Sequence, residues 1–322
     1  MKPIPIGLIG VGRHGTRYLH HLVSVETGGK LVAISQRNRD KGIRLASEYS
    51  LRFYPNYRDL LADPAIQAVL IVTPPSLNLP IALEAINRGK AVLLEKPLAL
   101  NPIEGRQIVE AATRARIPFM TAHTLRYEPA IRQLQNMSSF LGHWEYLSLA
   151  MRFELRPVSS ERIESWGNYG AIMEFGIHLL DLVSVLTQDV VHSVSADIDR
   201  RAPQDPEQRA HIKLITSKEL PCYLDISGVS QGRVTRAEII GAKGQALADW
   251  TNGIVCRVSR GNEKTEYPCP PSATLVELLR DFCQAIRTGS PMPITAEDGL
   301  RAVELADACY QSAQTGKPVF LD

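Results

Sequence analysis

The stretch Ile6-Gly7-Leu8-Ile9-Gly10-Val11-Gly12-Arg13-His14-Gly15 decides the fold. Its first four residues form a short apolar run that reads as a strand, and the glycines after it open a segment of helical period. In that context each glycine has a physical use. Gly10 permits a tight turn, Gly12 lets the backbone approach a pyrophosphate, and Gly15 lets the helix pack closely. The helix start offers N–H groups to an anion, with Arg13 and His14 in the same turn. The reading is a Rossmann-type site for a nicotinamide dinucleotide; a glycine turn serving the fold alone is the other use of such a pattern.

Working outward, short apolar runs alternate with segments of helical period as far as about residue 122: Ile6 to Ile9, Leu31 to Ile34, Ala68 to Val72, Ala91 to Leu94 and Pro118 to Thr121. Runs apolar at nearly every position belong to strands covered on both faces, as in a parallel sheet flanked by helices. Asn101 caps a helix with Pro102 at its first position and Glu104 at its third, and Gly89 ends a helix that begins near Leu79. This is a βαβ series. Beyond residue 122 the period changes. Trp144 to Leu155 alternates, with Leu147, Leu149, Met151, Phe153 and Leu155 on one face. Further strand-like runs follow at Val190 to Ala196, His211 to Ile215, Cys222 to Ile226, Ala237 to Ile240 and Ile254 to Val258, and Ala273 to Arg287 and Ala296 to Gln314 read as closing helices. The expected architecture is α/β: an N-terminal Rossmann dinucleotide-binding domain over residues 1–122, then an α+β substrate-binding and oligomerisation domain over 123–322 with a large, mostly antiparallel open sheet.

Composition narrows the function. The 36 basic and 34 acidic residues are interspersed and leave a formal charge of +2, which supplies no basic stripe for a phosphate backbone, so nucleic acid is not an expected partner. No apolar stretch is long enough to span a bilayer and the first is too short for a signal peptide, so a cytoplasmic protein is expected. The five cysteines form no C-x-x-C pair, and neither a metal site nor a disulfide framework is expected.

Four segments carry chemistry. About twenty residues beyond the glycines, where a dinucleotide fold places the group that reads the ribose, the chain has Ser35-Gln36-Arg37-Asn38-Arg39 and no carboxylate. Gln36 and Arg37 remove the repulsion toward a 2′-phosphate and add a charge-assisted contact, which favours NADP(H) over NAD(H); solvated loop arginines are the plainer use. Thr73-Pro74 and Glu95-Lys96-Pro97 follow apolar strands, where open α/β sheets bind ligands. Lys96 can hold a substrate hydroxyl as alkoxide charge grows, or lie along the surface as many lysines do. Glu174, His178 and Asp181 fall at i, i+4 and i+7 of an apolar helix, so a His beside a carboxylate is available as acid or base; a structural His held by Glu174 is the alternative.

These segments in this order resemble the Gfo/Idh/MocA family, named after glucose-fructose oxidoreductase, inositol dehydrogenase and a rhizopine-catabolism protein. The likeness also takes in Gly89-Lys90, Arg126 with Pro129, Gly241-Ala242-Lys243-Gly244 and the closing Ala285-Ile286-Arg287-Thr288-Gly289. The resemblance implies NAD(P)-dependent hydride transfer at a carbinol or carbonyl carbon of a sugar, cyclitol or related small molecule. It places family roles on Lys96, as the substrate-hydroxyl and cofactor-positioning residue, and on His178 as acid or base; Glu174 is expected with them in catalysis, and Lys96, Arg126, Trp166, Glu174 and His178 are the expected substrate residues. Gly10, Gly12, Arg13, His14, Gly15, Gln36, Arg37, Thr73, Pro74, Asn78, Glu95 and Lys96 fall to the cofactor. Three departures stand out: Glu174 where the family usually has Asp, Asn78 where it often has His, and Asn168-Tyr169-Gly170 in place of a run of three glycines. By analogy a homodimer or homotetramer is expected. The alternatives are a reductase of a non-sugar substrate such as a biliverdin-like compound, and a catalytically silent cofactor-sensing regulator.

Overall fold

The computed structural model describes residues 2–154, 166–202, 204–259 and 261–321. By packing, the chain divides into two units, Met1–His123 with Ala273–Val303, and Thr124–Ser272 with Glu304–Asp322. The break at His123 lies next to the expected boundary, but the chain returns, and Ala273–Val303 belongs with the first unit rather than wholly with the second. The reason is apolar and local. Helix Thr274–Thr288 buries Leu275, Leu279, Phe282 and Cys283, and its Arg287 donates to the Gly28 carbonyl at 3.1 Å.

The first unit is built on a six-stranded sheet in the order β3-β2-β1-β4-β5-β6. Its strands are β1 (Ile4–Ile9), β2 (Gly29–Ser35), β3 (Arg52–Tyr54), β4 (Ala68–Ile71), β5 (Ala91–Leu94) and β6 (Phe119–Thr121). Every pairing is parallel. All residues of β4, β5 and β6 are buried, as strands covered on both faces require. Strand β3 is absent from the apolar pattern because it is three residues of mixed character at the sheet edge. Asn101 caps helix Pro102–Ala115, its Oδ1 accepting from the Glu104 N–H at 3.0 Å. The strand order reverses between β1 and β4, and in such sheets ligands bind at the carboxyl ends of the strands flanking that reversal.

The second unit holds a nine-stranded sheet in the order β14-β13-β12-β11-β7-β10-β9-β8-β15. Its strands are β7 (Trp144–Glu154), β8 (Val191–Asp199), β9 (Arg209–Thr216), β10 (Pro221–Ser227), β11 (Val229–Gly241), β12 (Gly244–Asp249), β13 (Ile254–Ser259), β14 (Lys264–Pro268) and β15 (Val319–Phe320). All pairs are antiparallel except β10 with β7. The alternation on β7 is real: Leu147, Leu149 and Met151 are buried, and Phe153 meets Phe175 edge to face. Leu155, expected on the same face, lies outside the described residues. Strand β11 is far longer than the Ala237 to Ile240 run, because most of its first half is exposed and polar.

The helix expected over Gly170 to Asp181 is irregular. Residues Ile172–Gly176 form a π-helical turn, with the Ile177 N–H donating five residues back to Ile172, before the α-helix Ile177–Thr187. The wide turn changes the angular offset between Glu174 and His178 from that of a regular helix. Gly176 permits close approach to the sheet, since a Cβ there would lie 2.6 Å from Ile226 Cδ1.

Candidate active site

In the first unit the glycine turn does what its spacing implies. Gly10 has φ of +92°, and a Cβ on it would lie 2.3 Å from the Val72 carbonyl oxygen. At Gly15 an added Cβ would lie 1.9 Å from the Gly10 oxygen, whereas at Gly12 it would meet nothing within 4 Å. Two glycines are therefore required by packing and the third keeps backbone accessible. Helix Arg13–Ser24 starts there with no side-chain cap and no acidic residue in its first turn. Those uncapped N–H groups and the cleared backbone fit the pyrophosphate of a dinucleotide. Lys41 supports the turn from the next helix, its Nζ donating to the Val11 carbonyl at 2.7 Å. Arg13 and Arg37 are exposed, and Gln36 is turned back along its loop, donating to the Asn38 carbonyl at 2.9 Å.

Glu95 ties this turn to the end of β5. Its Oε1 accepts from Tyr18 Oη at 2.6 Å and pairs with His14 Nε2 at 2.7 Å, while Oε2 accepts from the Lys96 N–H at 3.1 Å. Burial pushes the Glu95 carboxyl up. The His14 hydrogen bond and charge, the Lys96 charge and the Tyr18 hydroxyl outweigh burial, and the group lies below its ordinary value. Burial, followed by the Glu95 charge, holds the Tyr18 phenol well above its own. Lys96 follows, half-buried, in a cis bond to Pro97. Asn78 is buried and donates to the Pro97 carbonyl at 2.8 Å, with Thr73 Oγ1 3.4 Å from its Oδ1, so it fastens the loop after β4 to the loop after β5. Pro74 is half-buried beside them. The sequence carries no signal for Tyr18, which reads as one more aromatic on an apolar helix face.

In the second unit Glu174 and His178 are half-buried, while Asp181 is buried. Arg126 grips Asp181 in a fork, Nε to Oδ2 at 2.9 Å and Nη2 to Oδ1 at 2.5 Å. This geometry joins Asp181 to Arg126 rather than leaving three equivalent polar groups on one face. Trp166 is half-buried, its carbonyl accepting from the Tyr169 N–H at 3.4 Å. Glu207, fully buried, lies at the start of the His178 helix.

Two family models match the chain, one for the NAD-binding Rossmann fold of an oxidoreductase family over residues 4–123 and one for its C-terminal alpha/beta domain over 156–321. The chain belongs to the Gfo/Idh/MocA family. It is 28% identical to inositol 2-dehydrogenase of Acidothermus cellulolyticus across 99% of this chain and 95% of that one. With D-apiose dehydrogenase of Paraburkholderia graminis it shares 26% across 98% and 88%. An oxidoreductase from Agrobacterium radiobacter, solved in complex with NAD+, L-tartaric acid and magnesium, has the same fold, with a TM-score of 0.89 at 20% identity over 98% of both chains. As a Gfo/Idh/MocA member the protein is an NAD(P)-dependent oxidoreductase. Among the described residues no helix is long and apolar enough to cross a membrane.

Proposed function

We propose that this family member prefers NADP(H) and transfers hydride between the nicotinamide and a carbinol or carbonyl carbon of a sugar, cyclitol or related polyol. The observation that carries the reading is the Glu95 junction, in which one buried carboxylate holds both His14 of the dinucleotide turn and the backbone of Lys96. That junction sets Lys96 in register with the cofactor turn. Inositol and apiose dehydrogenases among the relatives support a polyhydroxylated substrate. The cofactor, when bound, accepts or returns the hydride. Lys96 Nζ holds the reacting oxygen and stabilises the negative charge that grows on it. His178 takes the hydroxyl proton in the oxidative direction and returns it in the other. Glu174 hydrogen-bonds the substrate beside His178, and Arg126 and Trp166 complete the substrate side.

NADP(H) preference rests on the exposed Arg37 and on the lack of a carboxylate from Ser35 to Arg39. Replacing Arg37 by Asp removes a charge-assisted contact of about 1.5–3 kcal/mol, so NADP+ affinity should drop by roughly 10- to 100-fold. An unchanged NADP+ to NAD+ ratio in fluorescence titrations would place the discriminator elsewhere. Turnover itself is tested with a panel of inositols, sugars and keto-sugars and NADP(H). Lys96→Ala should abolish most turnover on any substrate found, and intact turnover would remove Lys96 from its role. Failure across the panel would favour a silent cofactor-sensing regulator. A homodimer or homotetramer is proposed by family analogy, to be measured by light scattering.

A further inference from the structure

Glu207 makes an unusual set of contacts. Its backbone carbonyl accepts from the Ala171 N–H at 3.0 Å, Oε2 from the Gly170 N–H at 2.8 Å and Oε1 from the Ile172 N–H at 3.0 Å. One residue thus takes three consecutive amides at the start of the segment that becomes the His178 helix. The approach is so close that a Cβ on Gly170 would lie 2.0 Å from the Glu207 carbonyl oxygen. From the other side, Tyr310 Oη donates to Oε1 at 2.8 Å, and Arg200 Nη1 lies 3.7 Å from Oε2. Arg200 is itself fixed by the carbonyls of Asn168 and Asp205.

We propose that Glu207 is the positioning residue for His178, fixing the rotation and height of its helix through these three amides. A single hydrogen bond to a helix start leaves the helix free to turn about it. Three bonds to successive amides, arriving from one rigid residue, do not. The device matters here because the π-helical turn at Ile172–Gly176 intervenes between the anchor and His178, and such a turn is held by its surroundings rather than by local preference. Burial raises the Glu207 carboxyl above its ordinary value, with the Tyr310 hydroxyl first among the groups opposing it. Its oxygens nonetheless face only donors, the arrangement of an acceptor-only carboxylate. The inference rests on the reading of His178 as the acid or base.

The test is Glu207→Gln in the full chain. The amide keeps the volume but has one accepting oxygen, so one helix amide meets an NH2 group instead of an acceptor. The affinity for NADP+ should stay within about twofold, since the dinucleotide turn belongs to the other unit. On the substrate found in the panel, kcat should fall at least about tenfold while KM changes by less than about threefold, the signature of misplaced chemistry. An independent readout is the NMR titration of the His178 ring, assigned by its loss in His178→Gln. Loss of the Glu207 charge should lower the midpoint of that titration, since a nearby negative charge favours the protonated ring. Glu174, Asp181 and Arg126 keep their charges in both proteins, and the difference reports Glu207. A lower Tm with kcat and the His178 titration unchanged would make Glu207 merely structural and overturn the proposal. If Glu207→Gln does not fold, Tyr310→Phe decides. It releases Oε1 on the far side and should cut kcat about threefold at unchanged NADP+ affinity; an unchanged kcat overturns the proposal. If His178→Gln keeps full turnover, the role of His178 fails instead, and that outcome is separate from a failure at Glu207.

Discussion

Tyr18→Phe isolates one bond at the junction that joins the dinucleotide turn to Lys96. Tyr18 is fully buried and its hydroxyl donates to Glu95 Oε1 at 2.6 Å, so Phe fills the same space and removes only the oxygen. A hydrogen bond to an ionised group contributes about 1.5–3 kcal/mol, and a short buried one belongs in that range. The first unit is in the size class where each kcal/mol moves Tm by about 2–4 °C, which gives an expected loss of about 3–12 °C at pH 7. The loss should depend on pH in a stated direction. The Glu95 carboxyl lies below its ordinary value in the folded protein, so it contributes stability fully present above the unfolded carboxylate range and lost as pH falls through the folded value. With Glu95 protonated, the bond from Tyr18 becomes neutral and weaker. The Tm difference between parent and Tyr18→Phe, followed by calorimetry from pH 7 downward, should therefore narrow in acid. A difference below about 1 °C at pH 7, or one that widens in acid, would refute the account of Glu95 as a buried anion held by Tyr18.

Two further substitutions probe the two units separately. Gly15→Ala places a Cβ 1.9 Å from the Gly10 carbonyl oxygen, so the turn must shift. NADP+ affinity should fall at least about tenfold, with a stability loss of about 1–3 kcal/mol in urea, and unimpaired binding would show that the turn yields without cost. Asp181→Ala leaves the largely buried Arg126 guanidinium without its forked partner. It should cost about 3–5 kcal/mol, most of it recovered in the double variant with Arg126→Met, and additive losses in that cycle would show that the pair is not coupled.

Legibility in the sequence followed the kind of interaction. Buried parallel strands were readable because burial on both faces demands apolar residues without interruption, as in Ala68–Ile71 and Ala91–Leu94. The Asn101 cap and the glycine turn were readable because their chemistry is confined to a few consecutive residues. Strand Gly244–Asp249 gave no comparable signal, being six residues that open with Gly and Gln and end with Asp, and Lys264–Pro268 alternates polar residues on an exposed edge. The return of Thr274–Thr288 to the first unit was likewise hidden. An amphipathic helix states that it has a partner and does not say which one.

The groups that hold the proposed site residues in place fall on the hidden side of that division. Glu95 and Lys96 adjoin in sequence, but Tyr18 and His14, which make Glu95 a fixed anion, come from a helix far earlier in the chain. Arg126 and Asp181 are each visible as charged residues, yet only the fold makes them a buried fork. Glu207 is the extreme case: a glutamate beside Pro206 in a polar connection, with partners at Gly170, Ala171, Ile172 and Tyr310. A motif records the residues that meet a ligand, because their spacing is constrained by one local turn or helix. The residues that hold those groups in place answer only to distance in space, and their identity is free wherever another donor or acceptor would serve. Substitutions at Glu207, Tyr18 and Asp181 therefore test whether the proposed reactive groups work by being present or by being held.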